Sequence, residues 1–403
     1  MTLPTFTPLD LAEFDISPDR GFLRARDPLA TLSSRWPTSL GELGVALPKL
    51  LAARRLRSFV RDLGPVLPDA DGPVDLDEYR CAARILSFVG HAYVWEEPHR
   101  PADRIPAQVA IPWCHVLTRL GRPPVLSYAS YALDNWRRLD QAQPVTLGNI
   151  VLAQNFFGGL DEEWFVLIHV EIEAKAGPAL AGVVRAINAA IRDDPEDVAH
   201  GLHAVASAEE QMYDTLLRMP EGCDPYVYFH RVRPYIHGWM DNPALPHGVV
   251  YEGVEAFHGK PQQFRGETGA QSSIIPSLDA AFGVPHAAGP LTHYLLEMRA
   301  YMPPTHRAFI ERLEQMRDGQ GRAVLYGYVR DRQPRHPELW DAFGACIRGL
   351  ARFRAVHYDY AGRYIHQQSQ RSLSNPTGVG TGGTPFMTYL KAHLDETEKL
   401  LES

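Results

Sequence analysis

Cysteine is scarce in this chain of 403 residues: Cys81, Cys114, Cys223 and Cys346 are all there is, and none forms a CxxC pair. That spacing excludes a disulfide framework, an iron–sulfur cluster and a cysteine zinc site. The 17 histidines include no HExxH. His200 and His203 lie close together, as do His286 and His293, but no acid stands at ligand spacing from either pair. They read as surface or capping residues, and no structural metal is expected. No basic block stands out in a chain of net charge −8, so a nucleic-acid partner is not expected. No apolar run is long enough to span a membrane. The opening MTLPTFTPLDLAEFDISPDRGF has acids and prolines where a signal peptide has a basic start and an apolar core. A cytoplasmic protein is the expectation.

What is present is ordinary globular composition, 45% hydrophobic and 22% charged, enough for a sizeable core. Strand alternation is scarce and no long period repeats, so the fold reads as mainly α. Residues 1–30 read as an extended arm, followed by helical stretches at 40–63 and 76–94. The stretch 105–136 is interrupted by Pro106, Pro112, Pro123 and Pro124. A linker around Pro144 suggests two domains. Residues 1–150 would form a small helical domain with minor β structure, and residues 151–403 a large all-helical one. In the second part, helices are expected at 161–176, 180–192, 199–219, 225–239, 273–282, 291–301, 305–315 and 340–365. A last one follows Thr384, a natural N-cap, and Pro385, a natural first helical residue.

One helix carries the sharpest chemical signal. From Trp340 it reads WDAFGACIRGLARFRAVHYDYAGRYI. Phe343, Cys346, Ile347, Leu350, Phe353, His357, Tyr360, Ala361 and Tyr364 recur at steps of three and four, which is the buried face of an amphipathic helix. A single imidazole in such a stripe is either an axial ligand for haem iron or a core histidine satisfied by a neighbouring hydroxyl or carbonyl. Three other segments offer chemistry. Gly380-Thr381-Gly382-Gly383-Thr384 before a helix suits an anion or a mobile loop. Tyr228 to Trp239 mixes aromatics with arginines, either a carboxylate clamp or arginines paired at the surface. Phe264 to Ser273 is a small-residue loop, either a bed for a flat ligand or a plain helix entry.

Taken together, SFVGHAYVW (87–95), PPVLSYASYALDNW (123–136), VYEG (250–253), GAQSS (269–273), MRAYMPPTHRAFI (298–310), FRAVHYDYAGRYI (353–365) and GTGGT (380–384) resemble the indoleamine 2,3-dioxygenase family. Order and spacing match from about residue 30 onward. The resemblance implies a haem enzyme that inserts both atoms of O2 across the indole 2,3 bond of tryptophan, giving N-formylkynurenine. By the RxxH match, His357 would be the proximal ligand of a haem b iron. Arg354 and Asp279 would support a propionate and the proximal side. Gly266, Thr268 and Gly269 would lie along the haem edge. Tyr128, Trp164 and Tyr228 would pack on the substrate indole, and Arg233 would hold its carboxylate. Thr381 would help bind its amino acid end. Expected partners are an indole substrate and O2, with a monomer or weak homo-oligomer as the assembly.

The distal helix departs from the family pattern. Its aromatic and serine places fall on Trp164, Phe165 and either Leu167 or Ile168, with His169 alongside. With Trp164 set in the pocket, helical periodicity points Leu167 or Ile168 at the iron and turns His169 toward a neighbouring helix. The opposite rotation would give an imidazole above the iron, as in the related tryptophan 2,3-dioxygenases. Two other functions fit the same scaffold: a haem-dependent indole monooxygenase of a biosynthetic pathway, and a non-catalytic haem-binding sensor.

Overall fold

A computed structural model describes residues 6–64, 66–67, 75–370 and 386–401. It is 62% helical with 5% strand, a mainly α fold with a few small sheets. Four helices make the frame of the C-terminal half: Leu160–Lys175, Gly177–Arg192, Pro195–Leu217 and Pro337–Ala361. Pro178 neither kinks nor breaks a helix. It occupies the first turn of Gly177–Arg192, where its missing N–H is not needed. The turn to the next helix uses Asp193 in the left-handed region (φ 60°), and the side chain of Asp194 caps the N–H of Asp197. These two helices then touch backbone to backbone. A Cβ added to Gly182 would lie 2.6 Å from the Gly201 carbonyl oxygen.

In the N-terminal half, helix Leu76–Trp95 is buried on almost every side from Cys81 onward. Its buried polar side chains Arg84 and His91 are anchored to neighbouring backbone. Arg84 donates to the Asp134 carbonyl at 2.7 Å. His91 bridges the Tyr235 carbonyl and the Leu126 N–H, each at 2.9 Å. Residues on the two sides of position 150 are tied together by backbone as well. Strand Arg104–Ile105 runs parallel to Val249–Tyr251, which pairs antiparallel with Pro261–Gln262. A second ladder joins Trp136–Arg138 to Ile150–Leu152.

The structure corrects several expected boundaries. Arg54 at φ 54° splits 40–63 into Thr38–Ala52 and Leu56–Arg61. Pro112 lies inside Ala107–Arg119, while Ala129–Leu133 forms a π-helical turn. The expected helix over 225–239 is three pieces, Pro225–Val227, the π turn Tyr228–Val232 and Arg233–Ile236. Pro234 has no N–H to give the His230 carbonyl, so an α-helix cannot run through. Helix Val324–Arg332 was not expected from the sequence. Among the described residues, no helix is long and apolar enough to cross a membrane.

Candidate haem and substrate site

Helices Leu160–Lys175, Ile274–Phe282 and Pro337–Ala361 converge on a cavity of about 730 Å³. That lies within the range of small-molecule and cofactor sites, roughly 300–1,000 Å³. The apolar stripe of the long helix explains where it opens. Phe343, Cys346, Ile347 and Leu350 are buried, as are Ala361 and Tyr364. Between them burial lapses at Phe353, His357 and Tyr360, and all three side chains line the void. His357 is exposed, and its side chain lines the cavity.

No hydrogen bond reaches either ring nitrogen of His357 among the described residues. Loss of solvent, then His169 and Arg354, lower its pKa to about 4, so the imidazole is neutral at pH 7 and keeps a lone pair. Arg354, one turn earlier, donates to Asp279 Oδ2 at 2.6 Å and also contacts the Thr397 hydroxyl. Burial alone would raise the Asp279 pKa, but Arg354 and His286 outweigh it and hold the carboxylate charged. Arg354 and Asp279, expected as a pair, are in contact and on the cavity wall.

The distal helix is rotated relative to the expectation. Phe165 and His169, one turn apart, line the cavity. Leu167 and Ile168 are buried in the core and do not reach it. The misplaced anchor was Trp164. Its indole packs over Gly222, where a Cβ would meet it at 2.6 Å, and its Nε1 donates to the Arg218 carbonyl at 2.9 Å. Making Phe165 the pocket aromatic turns the face by one residue, about 100°, which brings His169 round. The His169 Nδ1 lies 2.7 Å from the Phe165 carbonyl, so Nδ1 carries the hydrogen. Burial lowers the pKa of the ring, and the neutral form therefore presents an unprotonated Nε2.

The remaining candidates divide. Tyr228, on the π turn, lines the cavity with its ring 4.5 Å from Phe165. Tyr128 does not line it: its ring meets His169 edge-on at 6.1 Å, and its hydroxyl sits by Glu173 and Ser272. Arg233 is also off the wall, buried one turn past Tyr228, with Nη1 2.9 Å from His237 Nε2. Burial lowers its pKa to about 10. Thr268 and Gly269 line the cavity. Gly266 does not; a Cβ there would lie 2.2 Å from the Gly238 backbone nitrogen, so this glycine is required by backbone packing. Thr381 lies outside the described residues.

Phe165, expected with Trp164 in the aromatic places, is the one that lines the cavity, and Glu267 was not among the expected residues. Burial pushes the Glu267 carboxyl up to about 8, and it lies on the cavity wall. Its signal was visible as a single acid among the small residues of 264–273.

Among the described residues, a large cavity between helices, with a neutral histidine from each of two of them and an arginine–aspartate pair beside one, is an arrangement that suits a haem held by histidine. The particular family comes from comparison. The indoleamine 2,3-dioxygenase family profile matches residues 10–400, and the chain belongs to that family. It is 32% identical to indoleamine 2,3-dioxygenase 1 of Rattus norvegicus, over 98% of this chain and 96% of that protein. Identity to the indoleamine 2,3-dioxygenase of Saccharomyces cerevisiae is 33%, over 96% and 92%. A protein named myoglobin from Haliotis madaka is 29% identical over 97% and 99%.

Proposed function

We infer that the chain is a haem-dependent dioxygenase that inserts O2 across the indole 2,3 bond of tryptophan or a related indoleamine, giving N-formylkynurenine. Family membership carries the activity. The observation that carries the site is His357, a neutral imidazole with no hydrogen-bond partner among the described residues, projecting into the cavity.

The residues fit a haem. His357 would supply a nitrogen to the iron, and Arg354, held by Asp279, would supply a cation for a propionate. Thr268 and Gly269 border the same space, and no side chain on Gly269 narrows it. Non-covalent haem b is proposed, since the chain has no CxxCH. When bound, haem supplies the activation of O2.

The chain's own groups then position the substrate. Phe165 and Tyr228 offer aromatic faces for a flat indole. His169 Nε2 is an acceptor for the indole N–H. Glu267 is a proton-holding carboxyl that an amino acid's ammonium can ionise. Arg233 is the proposed cation for the substrate carboxylate, supported by its burial next to Tyr228; to reach the cavity its guanidinium must leave His237. Tyr128 acts from behind His169 as its packing partner. Mostly apolar walls keep water out and hold the reactants in place.

The test is a single turnover: the protein is reduced without oxygen in the presence of tryptophan, then mixed with ¹⁸O₂, and the product is weighed by mass spectrometry. Two labelled oxygens are expected. A product with a single label would overturn dioxygenation, and no product with tryptophan or its ring-substituted analogues would overturn the substrate class.

A further inference from the structure

Close to the Arg354–Asp279 pair is a cluster that the oxygenase reading does not use. His286 follows helix Ile274–Phe282, while His393 and Glu396 share one face of the last described helix, Phe386–Lys399. The three offer ligand atoms that all lie within 4.8 Å of one another. His286 Nδ1 is 2.8 Å from Glu396 Oε2, and His393 Nδ1 is 3.7 Å from the same oxygen. A tetrahedral zinc ion with bonds of about 2.0–2.1 Å spreads its ligand atoms about 3.3 Å apart, so these separations bracket what the ion requires.

Two further observations point to a cation. The other ring nitrogen of His286 lies 3.2 Å from Asp279 Oδ2. A histidine that ligates a metal through one nitrogen and donates through the other to a carboxylate is the recurrent support of metal sites, because it fixes both tautomer and ring orientation. The His393 Nδ1 is buried, has no hydrogen-bond partner among the described residues and faces Glu396. A simple His286–Glu396 hydrogen bond explains the first histidine but leaves that nitrogen orphaned, which costs free energy. Glu396 is itself pre-set, because its other oxygen accepts from the Ala287 N–H at 2.9 Å.

We propose that His286, His393 and Glu396 bind one zinc-class divalent metal ion, with water in the fourth position, and so clasp the Phe386–Lys399 helix to the segment behind His357. Imidazole and carboxylate are ligands of that class, and three protein ligands plus water is a common zinc set. The clasp would bear on His357 through Asp279 and Arg354, which already link His286 to the long helix. The sequence hid this site because its ligands come from segments far apart in the chain.

The test uses the haem-loaded protein, freed of loosely held metal with a chelator and titrated with zinc chloride in a calorimeter. Zinc and iron are counted by atomic emission. One zinc per chain is expected, and X-ray absorption at the zinc edge should show two nitrogens among the nearest neighbours at about 2.0 Å. Glu396→Gln, which keeps shape and removes the anion, should weaken zinc at least ~100-fold with iron content unchanged, since a lost ligand should cost more than the ten- to hundredfold of an outer-shell change. The exposed pair His200→Ala/His203→Ala should leave zinc affinity as it was. The proposal is overturned by absence of saturable uptake, by equal affinity in Glu396→Gln, or by loss in the His200/His203 variant. Uptake that occurs only without haem also overturns it, because a cofactor carboxylate then occupies the cluster.

Discussion

At the scale of single residues, His169 is the informative position, because its tautomer is fixed by a short contact. Its Nδ1 hydrogen is committed to the Phe165 carbonyl, which leaves Nε2 as an acceptor in the cavity. Removing it with His169→Ala should lower kcat/KM for tryptophan by about tenfold to a hundredfold, as expected for one lost hydrogen bond to a buried donor. Haem content should stay the same. A substrate methylated at the indole nitrogen has no N–H to give, so it should react poorly with the parent protein and lose little more in the variant. Equal losses on both substrates would remove His169 from contact with the indole. The sequence contained this residue but pointed it away. Trp164 is the better match to the family's pocket aromatic and sets the expected face, whereas Gly222 makes room for it elsewhere. A one-residue choice on a helix rotates every later residue by about 100°, and no local pattern corrects it. His357 was legible because the periodicity of its stripe holds over 22 residues, from Phe343 to Tyr364, which no single neighbour can mimic.

Elements rather than residues decide how the cavity edge is held. The segment 264–269 reaches the cavity because two glycines let its backbone touch 236–238. Glu267 donates its N–H to the Ile236 carbonyl, and Gly266 and Gly238 meet too closely for a side chain on either. From sequence alone the glycines of this loop look equivalent, serving either a bed for a flat ligand or a plain helix entry. The structure separates them. A methyl on Gly266 would strike the Gly238 backbone at 2.2 Å, whereas one on Gly269 meets nothing within 4 Å among the described residues. Gly266→Ala should therefore cost about 1–3 kcal/mol or more in chemical denaturation, since neither backbone can give way locally. Gly269→Ala should leave stability within about 0.5 kcal/mol and instead change haem or substrate affinity. A Gly266→Ala variant as stable as the parent would show that the 236–238 and 264–266 segments are not locked together. Helix 225–239 failed as a prediction for a related reason: Pro234 was visible, but the π turn that absorbs it depends on what Tyr228 packs against.

For the whole molecule, the buried titratable groups set how stability depends on pH. Among the described residues, seven histidines have lowered pKa values: His91, His115, His169, His237, His306, His357 and His393. Burial is the leading cause for each, and it takes His91 and His306 to about 3. In the unfolded chain a histidine titrates near its ordinary value of about 6.5. Below that pH the unfolded state binds more protons than the folded one, so stability falls as pH drops, by about 1 kcal/mol per pH unit for a histidine buried as deeply as His91 or His306. Four glutamates, Glu162, Glu173, Glu209 and Glu267, have raised pKa values, again led by burial. These act with the opposite sign. The folded state keeps protons that the unfolded chain releases above roughly 4.3, so stability falls as pH rises until each folded value is passed, about 7 for Glu173 and about 8 for Glu267. Between about 4.3 and 6.5 the histidines with lowered values outnumber the glutamates. Above about 6.5 the glutamates act together with His286, whose pKa Asp279 and Glu396 raise against burial and which therefore also loses stability as pH rises. The Tm of the haem-free protein should therefore peak near pH 6.5 and decline on both sides. Two variants separate the limbs. His306→Phe, whose ring already packs 4.7 Å from Phe22, should flatten the acid limb by about one proton. Glu267→Gln should flatten the alkaline limb below pH 8 and leave the acid limb alone. A Tm that keeps rising from pH 6.5 to 8 in the parent protein would mean that these carboxyls are ionised in the fold, and that Glu267 faces the cavity as an anion rather than as an acid.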